Sequence, residues 1–461
     1  MNVLSYGAAR TVTGSNHLVQ SGATTLMLDC GLFQGSRALG DLNDEPFAFD
    51  LQSIDAVFVS HAHLDHSGRL PLLMKRGYAG PVYCTAATRE LAGYLLLDAA
   101  KLQAEDYERD LRKGRSPRPP VFDEGDVAKL LDRFQIIEYG KPVTVGDIRV
   151  TAQVAGHVPG SASLVLDTTE GRVVFSGDLG NERKDIMPDP ALCPEADILL
   201  MESTYGDRDH RPFDETIEEL AAAIRLADTR GGKILIPTFA LERTQDVLFH
   251  IARLEEAARI PKLPVIVDSP LALKVEHVYA TWRDEFSDEV KAIYAAGRDP
   301  FAPSGLRYTR SVDDSKALNE MNGSAIILAG SGMLTGGRIL HHLRQRLPDA
   351  SNTLIIVGFQ PQGGLGRLLV DGRDRVRIMG HDVSVRATVT TIGGLSAHAD
   401  RTELLRWALN AGPKANVRLV HGEVAAMTSL QAALEAQGQH TSIQEPSGAM
   451  PPGVGKASEG E

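Results

Sequence analysis

The stretch His61-Ala62-His63-Leu64-Asp65-His66 decides the fold of this 461-residue chain. It follows Asp55-Ala56-Val57-Phe58-Val59-Ser60, whose apolar centre reads as a short buried strand. A strand that stops and delivers three imidazoles and a carboxylate into a loop has the make-up of a metal site, since both donor types suit zinc. His61 and His63, two positions apart, project to one side of an extended segment. Asp65 and His66 then turn toward a second position, so one loop can serve two adjacent metals. Gly68 and Pro71 frame a tight turn from loop into helix, which argues against an incidental His-rich surface loop.

Bulk properties narrow the class. With 43% hydrophobic residues the chain can bury a large core, and its length suits one to three domains. No apolar run approaches the roughly 18 residues of a membrane span, so no membrane partner is expected. Met1 to Gly7 lacks a basic region followed by an apolar stretch, so no secretory leader is expected. Cys30, Cys84 and Cys193 are widely spaced and odd in number, as suits small core residues in a reducing cytoplasm rather than a disulfide framework. A net charge of −12 counts against a broad basic nucleic-acid footprint, but it says nothing of local patches, and bound cations add positive charge of their own.

HAHLDHSG resembles the HxHxDH signature of metallo-β-lactamase-fold hydrolases, and other strand ends fit the same pattern. Asp29, ahead of Gly31, closes a strand; in that family an Asp here hydrogen-bonds a ligand imidazole, while a turn Asp capping its own backbone is the alternative. The tight loop Ala155-Gly156-His157-Val158-Pro159-Gly160 offers His157 as a third imidazole for the first metal. Phe175-Ser176-Gly177-Asp178 repeats strand, glycine, carboxylate, and the resemblance makes Asp178 the ligand bridging two cations.

Further on, Glu202-Ser203-Thr204-Tyr205-Gly206-Asp207-Arg208-Asp209-His210 resembles the first of three motifs of the β-CASP subfamily, whose members act on nucleic acids. The other two stand in order at Gly394-Leu395-Ser396-Ala397-His398 and at Val417-Arg418-Leu419-Val420-His421. The resemblance therefore implies a metallo-β-lactamase αββα sandwich over about 1–210 and 381–440, an inserted α/β β-CASP domain over 211–380, and a disordered tail at 441–461. It covers about residues 1 to 440 and is closest in kind to the short bacterial type, similar to the catalytic subunit of pre-mRNA 3′-end cleavage. The insertion carries apolar strand runs at Gly232 to Pro237, Pro264 to Asp268, Ser324 to Ala329 and Thr353 to Val357 between helical stretches. Such runs indicate a parallel sheet covered on both faces. A second α/β domain of this kind is expected to make a cleft with the first, a usual place for a ligand.

The resemblance assigns His61, His63 and His157 to one metal, Asp65, His66 and His421 to the other, and Asp178 to both. Two zinc ions, or manganese in their place, would activate a water for attack on phosphorus. His398 is then the general acid, oriented by Glu202, with Asp29 in support. Single-stranded RNA is the expected substrate, cut endonucleolytically and leaving a 5′-phosphate, and a homodimer is allowed. Within the insertion, the Gly-rich turn Ser331-Gly332-Met333 with Arg338 resembles a family stretch near the scissile phosphate; a plain strand-to-helix turn is the alternative. Gly358 to Arg367 resembles another family stretch, with Gly364 where Thr is more usual. Arg243 and the rim Arg367, Arg373, Arg375 and Arg377 are candidates for phosphate contact or for solvated surface, as is the basic loop from Arg109 to Pro120. A lactonase or thioesterase of this fold, a DNA nuclease and an inactive RNA-binding scaffold are the competing readings.

Overall fold

The computed structural model describes residues 1–182, 185–361 and 363–448. They divide into two compact units, Met1–Asp209 with Ala397 onward, and His210–Ser396. The sequence suggests division at about 210 and 380. The second crossing lies later in the chain because the strand Thr388–Thr391 pairs in parallel with Thr353–Ile356 and so extends the inserted sheet.

In the first unit, β1 (Asn2–Gly7), β2 (Asn16–Ser21), β3 (Thr24–Leu28), β4 (Ala56–Phe58), β5 (Val82–Cys84) and β6 (Phe134–Ile136) form one sheet in that order. Further on come β7 (Val143–Val145), β8 (Ile148–Val154), β9 (Ala162–Thr168), β10 (Gly171–Phe175) and β11 (Ile198–Met201). The inserted unit supplies β12 (Lys233–Pro237), β13 (Val265–Asp268), β14 (Leu306–Tyr308), β15 (Ala325–Ala329), β16 (Thr353–Ile356), the hairpin β17 (Arg375–Ile378) and β18 (His381–Ser384), and β19 (Thr388–Thr391). The chain then returns with β20 (Asn416–Leu419) and β21 (His440–Ile443).

The second sheet of the first unit runs β21-β20-β11-β10-β9-β8-β7. Its inward residues obey the two-residue period of a strand: Ile148, Val150 and Ala152 of β8 are buried while Arg149 is exposed. They meet Val3, Val19, Leu26, Leu28 and Phe58 of the first sheet in one core. On the other face, Val174, Leu199, Val417 and Leu419 pack with Leu404 and Trp407 of helix Arg401–Leu409 and with Met427 and Leu430 of helix Val424–Ala436. Helices Leu70–Lys75, Ala86–Arg112 and Glu124–Leu131 pack together, and Ala86–Arg112 also touches β6.

The expected disorder from residue 441 is corrected over its first part. Thr441 to Ile443 belong to β21, which pairs in parallel with β20, because Thr441 can bury its side chain at the sheet edge. Residues 449–461 lie outside the described residues. In the inserted unit the sheet order is β14-β13-β15-β12-β16-β19 with every pairing parallel. The fully buried runs of β12, β13, β15 and β16 are what such a two-sided sheet requires.

Helix Ala86–Arg112 is capped by Thr85. Thr85 Oγ1 accepts from Thr88 N at 3.3 Å and donates to Gly160 O at 2.7 Å, and the Thr88 hydroxyl donates to the same carbonyl at 2.9 Å. Thr85→Ala removes both the cap and a buried partner. It is expected to cost about 1–2 kcal/mol, read as a lower urea midpoint at unchanged slope; an unmoved midpoint would refute the cap.

Candidate metal centre

The clustered side chains stand just beyond strand ends. β10, β11 and β20 are parallel neighbours, with Val174 level with Leu199 and Leu199 level with Val417. That register brings Asp178, Glu202 and His421, each one to three residues past its strand, to the same edge. β4 delivers His61 and His63 and then the helical turn Leu64–Ser67, and β8 delivers His157.

The loop is pinned from behind by backbone pairs: Cys30 N donates to His66 O, Leu32 N to Leu64 O and Ser15 N to Asp65 O, all within 2.7–2.8 Å. Gly31 sits in the middle of this contact, where a Cβ would fall 1.6 Å from the Asp65 carbonyl oxygen. Only glycine lets the two segments approach this closely.

Four side chains, those of His61, His63, His157 and Asp178, bring donor atoms within 4.8 Å of one another, and so do Asp65, His66 and His421. His61 Nε2 and His157 Nε2 each lie 3.1 Å from His63 Nδ1. Burial, reinforced by the neighbouring imidazoles, drives His61 and His157 well below the usual histidine range, so both are neutral. His63 Nδ1 can serve only one of two such contacts as donor or acceptor. Tetrahedral bonds of about 2.0–2.1 Å separate ligand nitrogens by about 3.3 Å, so the donor set fits a cation better than it fits hydrogen bonds. In the second group, His66 Nε2 is 3.1 Å from His421 Nε2, which is 3.5 Å from Asp65 Oδ2. Asp178 spans both groups, with Oδ2 3.6 Å from His61 Nε2 and Oδ1 3.3 Å from His66 Nε2. Burial opposes its ionisation, yet the imidazoles of His421, His66 and His398 hold its carboxyl well below the usual range.

Asp29 lies against this loop. Its oxygens accept from His66 Nδ1 at 2.7 Å, Ser60 N at 2.8 Å, Ser60 Oγ at 3.0 Å and Ser15 Oγ at 2.9 Å. Behind it stands His17, which sequence reading passed over because an isolated His in an alternating strand carries no signal. His17 Nε2 is 3.4 Å from Ser15 Oγ and its Nδ1 2.7 Å from Ser5 Oγ. Burial, then the charges of His66 and His421, push it down to about 3, so it stays neutral. Thr204, also passed over, places its hydroxyl 3.2 Å from His421 Nδ1. His421 itself has φ 47°, and Asp29 φ 58°. These left-handed conformations are held by His421 N donating to Ala8 O at 2.7 Å and Asp29 N to Phe58 O at 2.9 Å.

His398 reaches the same cluster from the returning chain. Ala399 N donates to Leu179 O and Asn181 N to Ala397 O, which binds its segment beside Asp178. Its Nδ1 is 3.2 Å from Glu202 Oε2 and 3.8 Å from Asp178 Oδ2. Glu202 is fixed by accepting from Leu179 N at 2.6 Å. Burial lowers the His398 pKa, but the Glu202 carboxylate outweighs it and raises the imidazole to about 10. The remaining candidates lie in the other unit. Ser331, Gly332 and Met333 form the turn after β15, and Arg338 opens helix Arg338–Arg346, its guanidinium held 2.6 Å from Asp268 Oδ1. Arg243 is paired with Glu242 and Asp246, and Arg367 with Asp371. Gln362 of the 358–367 stretch lies outside the described residues.

Comparison with known proteins identifies the family. Residues 10–238 match the metallo-beta-lactamase superfamily, 244–369 the Beta-Casp domain, and 382–444 the Zn-dependent metallo-hydrolase RNA specificity domain. The chain belongs to the metallo-β-lactamase-fold β-CASP ribonuclease family. It is 44% identical to ribonuclease TTHA0252 of Thermus thermophilus over 96% of this chain and 98% of that protein. It is 33% identical to the transcription termination factor FttA of Methanothermobacter thermautotrophicus (90% of this chain, 66% of that one) and 30% identical to endoribonuclease YSH1 of Eremothecium gossypii (93% and 56%).

Removing the Asp29 carboxylate leaves His66 without its orienting partner. Asp29→Ala is expected to weaken metal uptake by about ten- to a hundredfold, measured as bound zinc per chain across a buffered zinc series. Unchanged occupancy would show that Ser60 and the loop backbone alone hold the His66 ring.

Proposed function

We propose that the chain is a metal-dependent endoribonuclease acting on single-stranded RNA in the cytoplasm. His61, His63 and His157 would hold one cation and Asp65, His66 and His421 a second, with Asp178 within reach of both groups, and zinc is the ion that this imidazole-rich donor set suits. When bound, the cations supply Lewis acidity and make a water a competent nucleophile near neutral pH. Among the described residues no helix is long and apolar enough to cross a membrane.

The observation that carries the reading is the His398–Glu202 pair, set at 3.2 Å beside Asp178. Glu202 accepts from the Nδ1 side of the ring, which leaves Nε2 to deliver a proton to the departing oxygen. The phosphorus–O3′ bond breaks, the proton goes to O3′, and the products carry a 3′-hydroxyl and a 5′-phosphate. A thioesterase, whose thiolate leaves without a proton, has less need of a carboxylate-oriented acid of this kind. Ser331, Gly332 and Met333 offer backbone and hydroxyl groups for phosphate, and the Asp268-fixed guanidinium of Arg338 offers charge. The match to an RNA specificity domain and the ribonuclease names of the relatives support RNA over DNA.

The test is one RNA labelled separately at each end, incubated with wild type, His398→Ala and Glu202→Gln, with a chelator control. Wild type should yield internal fragments, and the chelator should abolish them. His398→Ala should lose about 10²–10⁴-fold in rate, and Glu202→Gln should lose less while binding RNA normally. Mononucleotides released from one end would replace the endonuclease with an exonuclease. Intact RNA in the presence of metal-loaded protein would end the ribonuclease reading.

A further inference from the structure

We propose that the exposed rings of Phe239 and Phe359 form a stacking platform for the bases of single-stranded RNA at the carboxyl edge of the inserted sheet. The proposal rests on the ribonuclease reading and adds to it the means by which the second unit grips the strand.

The topology makes this edge a ligand site. β12 leads through helix Arg243–Glu256 to β13, on the far side of β15. β15 leads through helix Arg338–Arg346 to β16, on the far side of β12. Two adjacent strands thus send their crossovers in opposite directions, and right-handed crossovers that travel oppositely lie on opposite faces of the sheet. The loops leaving β12 and β15 diverge, and a crevice opens outside the carboxyl ends at that switch point.

Both rings stand at this edge. Phe239 lies two residues past the end of β12 and Phe359 three past the end of β16. The register sets Leu235 level with Ile327 and with Leu354. Carried four residues forward, it sets Phe239 level with Ser331 on one side and Gly358 on the other. Thr238 N still donates to Ala329 O at 3.1 Å, so the alignment persists beyond the strand. Gln360 Nε2 donates to Gly332 O at 2.9 Å and ties the β16 loop to the Gly-rich turn.

Phe239 is 46% exposed and Phe359 61%, while the other large hydrophobic side chains exposed among the described residues are aliphatic. Single exposed apolar residues are ordinary when scattered; these two rings occupy neighbouring loops of one edge. The turn is also shaped around a ring, since a Cβ at Gly332 would come 2.9 Å from the Phe239 ring atoms.

The surroundings select the occupant. An apolar peptide would need a continuous greasy patch, but here the rings are set among the Gln360 amide, the Gly-rich backbone and the Ser331 hydroxyl, which accepts from Thr335 N at 3.0 Å. Arg338 is held on the same edge by Asp268 and Thr309, and Asp268 also accepts from His342 and Ser315. Flat apolar faces on the same edge as a fixed cation and a hydroxyl suit a polyanion that carries π-faces. Because every base has such a face, the grip is tolerant of sequence.

The experiment measures RNA affinity at fixed salt in a His398→Ala background, and KM for cleavage in the otherwise wild-type chain. Phe239→Ala and Phe359→Ala are each expected to weaken binding roughly tenfold, with Phe→Tyr at either site restoring most of it and the salt dependence unchanged because no phosphate contact is lost. An oligoribonucleotide made abasic at successive positions should lose a similar factor, and the loss should not add to that of the Phe→Ala variants. If the wild type cleaves RNA but both alanine variants bind it with unchanged affinity, or if Phe→Leu restores binding as fully as Phe→Tyr, the platform is overturned and the ribonuclease reading stands. If the wild type neither cleaves nor binds RNA, both fall together.

Discussion

The Asp29 carboxylate is the constraint on which the cluster depends. It is fully buried, it stands where β3 turns through a left-handed backbone, and it accepts four hydrogen bonds from three side chains and one amide. A buried carboxylate without such partners would be expelled or neutralised. With them it fixes the start of the loop through Ser60 and the far end through His66. The six residues from His61 to His66 are therefore positioned at both ends, and their rings face inward without contributing to a conventional core.

The rest of the cluster is assembled by sheet register. Residues as far apart as Asp178 and His421, 3.6 Å between Oδ1 and Nδ1, meet because three parallel strands end at one level and leave their next residues at the same edge. The Glu202–His398 pair depends on the same device, since Glu202 follows β11 and the His398 segment is stitched to Leu179 beside it. The capping box at Asp400 and Glu403 then starts the helix that closes over this face, so a strong local signal anchors a residue brought from far along the chain.

Much of this is legible in the sequence, for a physical reason. Imidazoles and carboxylates at strand ends interrupt the hydrophobic period, so His61, His63, Asp65, His66, His157, Asp178 and His421 stand out against the strands that precede them. Ser15, Ser60 and Thr204 do not, because small hydroxyl residues are common in every loop and only the fold shows whom they touch. His17 is hidden for the opposite reason: it occupies an inward strand position that an apolar residue would fill equally well. The helix start at Thr85 is hard to place from sequence because Thr85 and Thr88, three residues apart, both resemble caps. The strand at His440–Ile443 is missed because its pairing partner, not its composition, orders it.

The long insertion between β11 and β20 has a consequence for how the protein is made. β11 is synthesised early, yet its neighbour β20 and the ring of His421 follow only after more than two hundred further residues. A nascent chain therefore contains His61, His63, His157 and Asp178 while it still lacks His398 and His421. Until those last segments emerge, the edge of the second sheet is open and the cluster is incomplete. The order of synthesis thus makes His421 and its strand β20 the last parts of the cluster to be added.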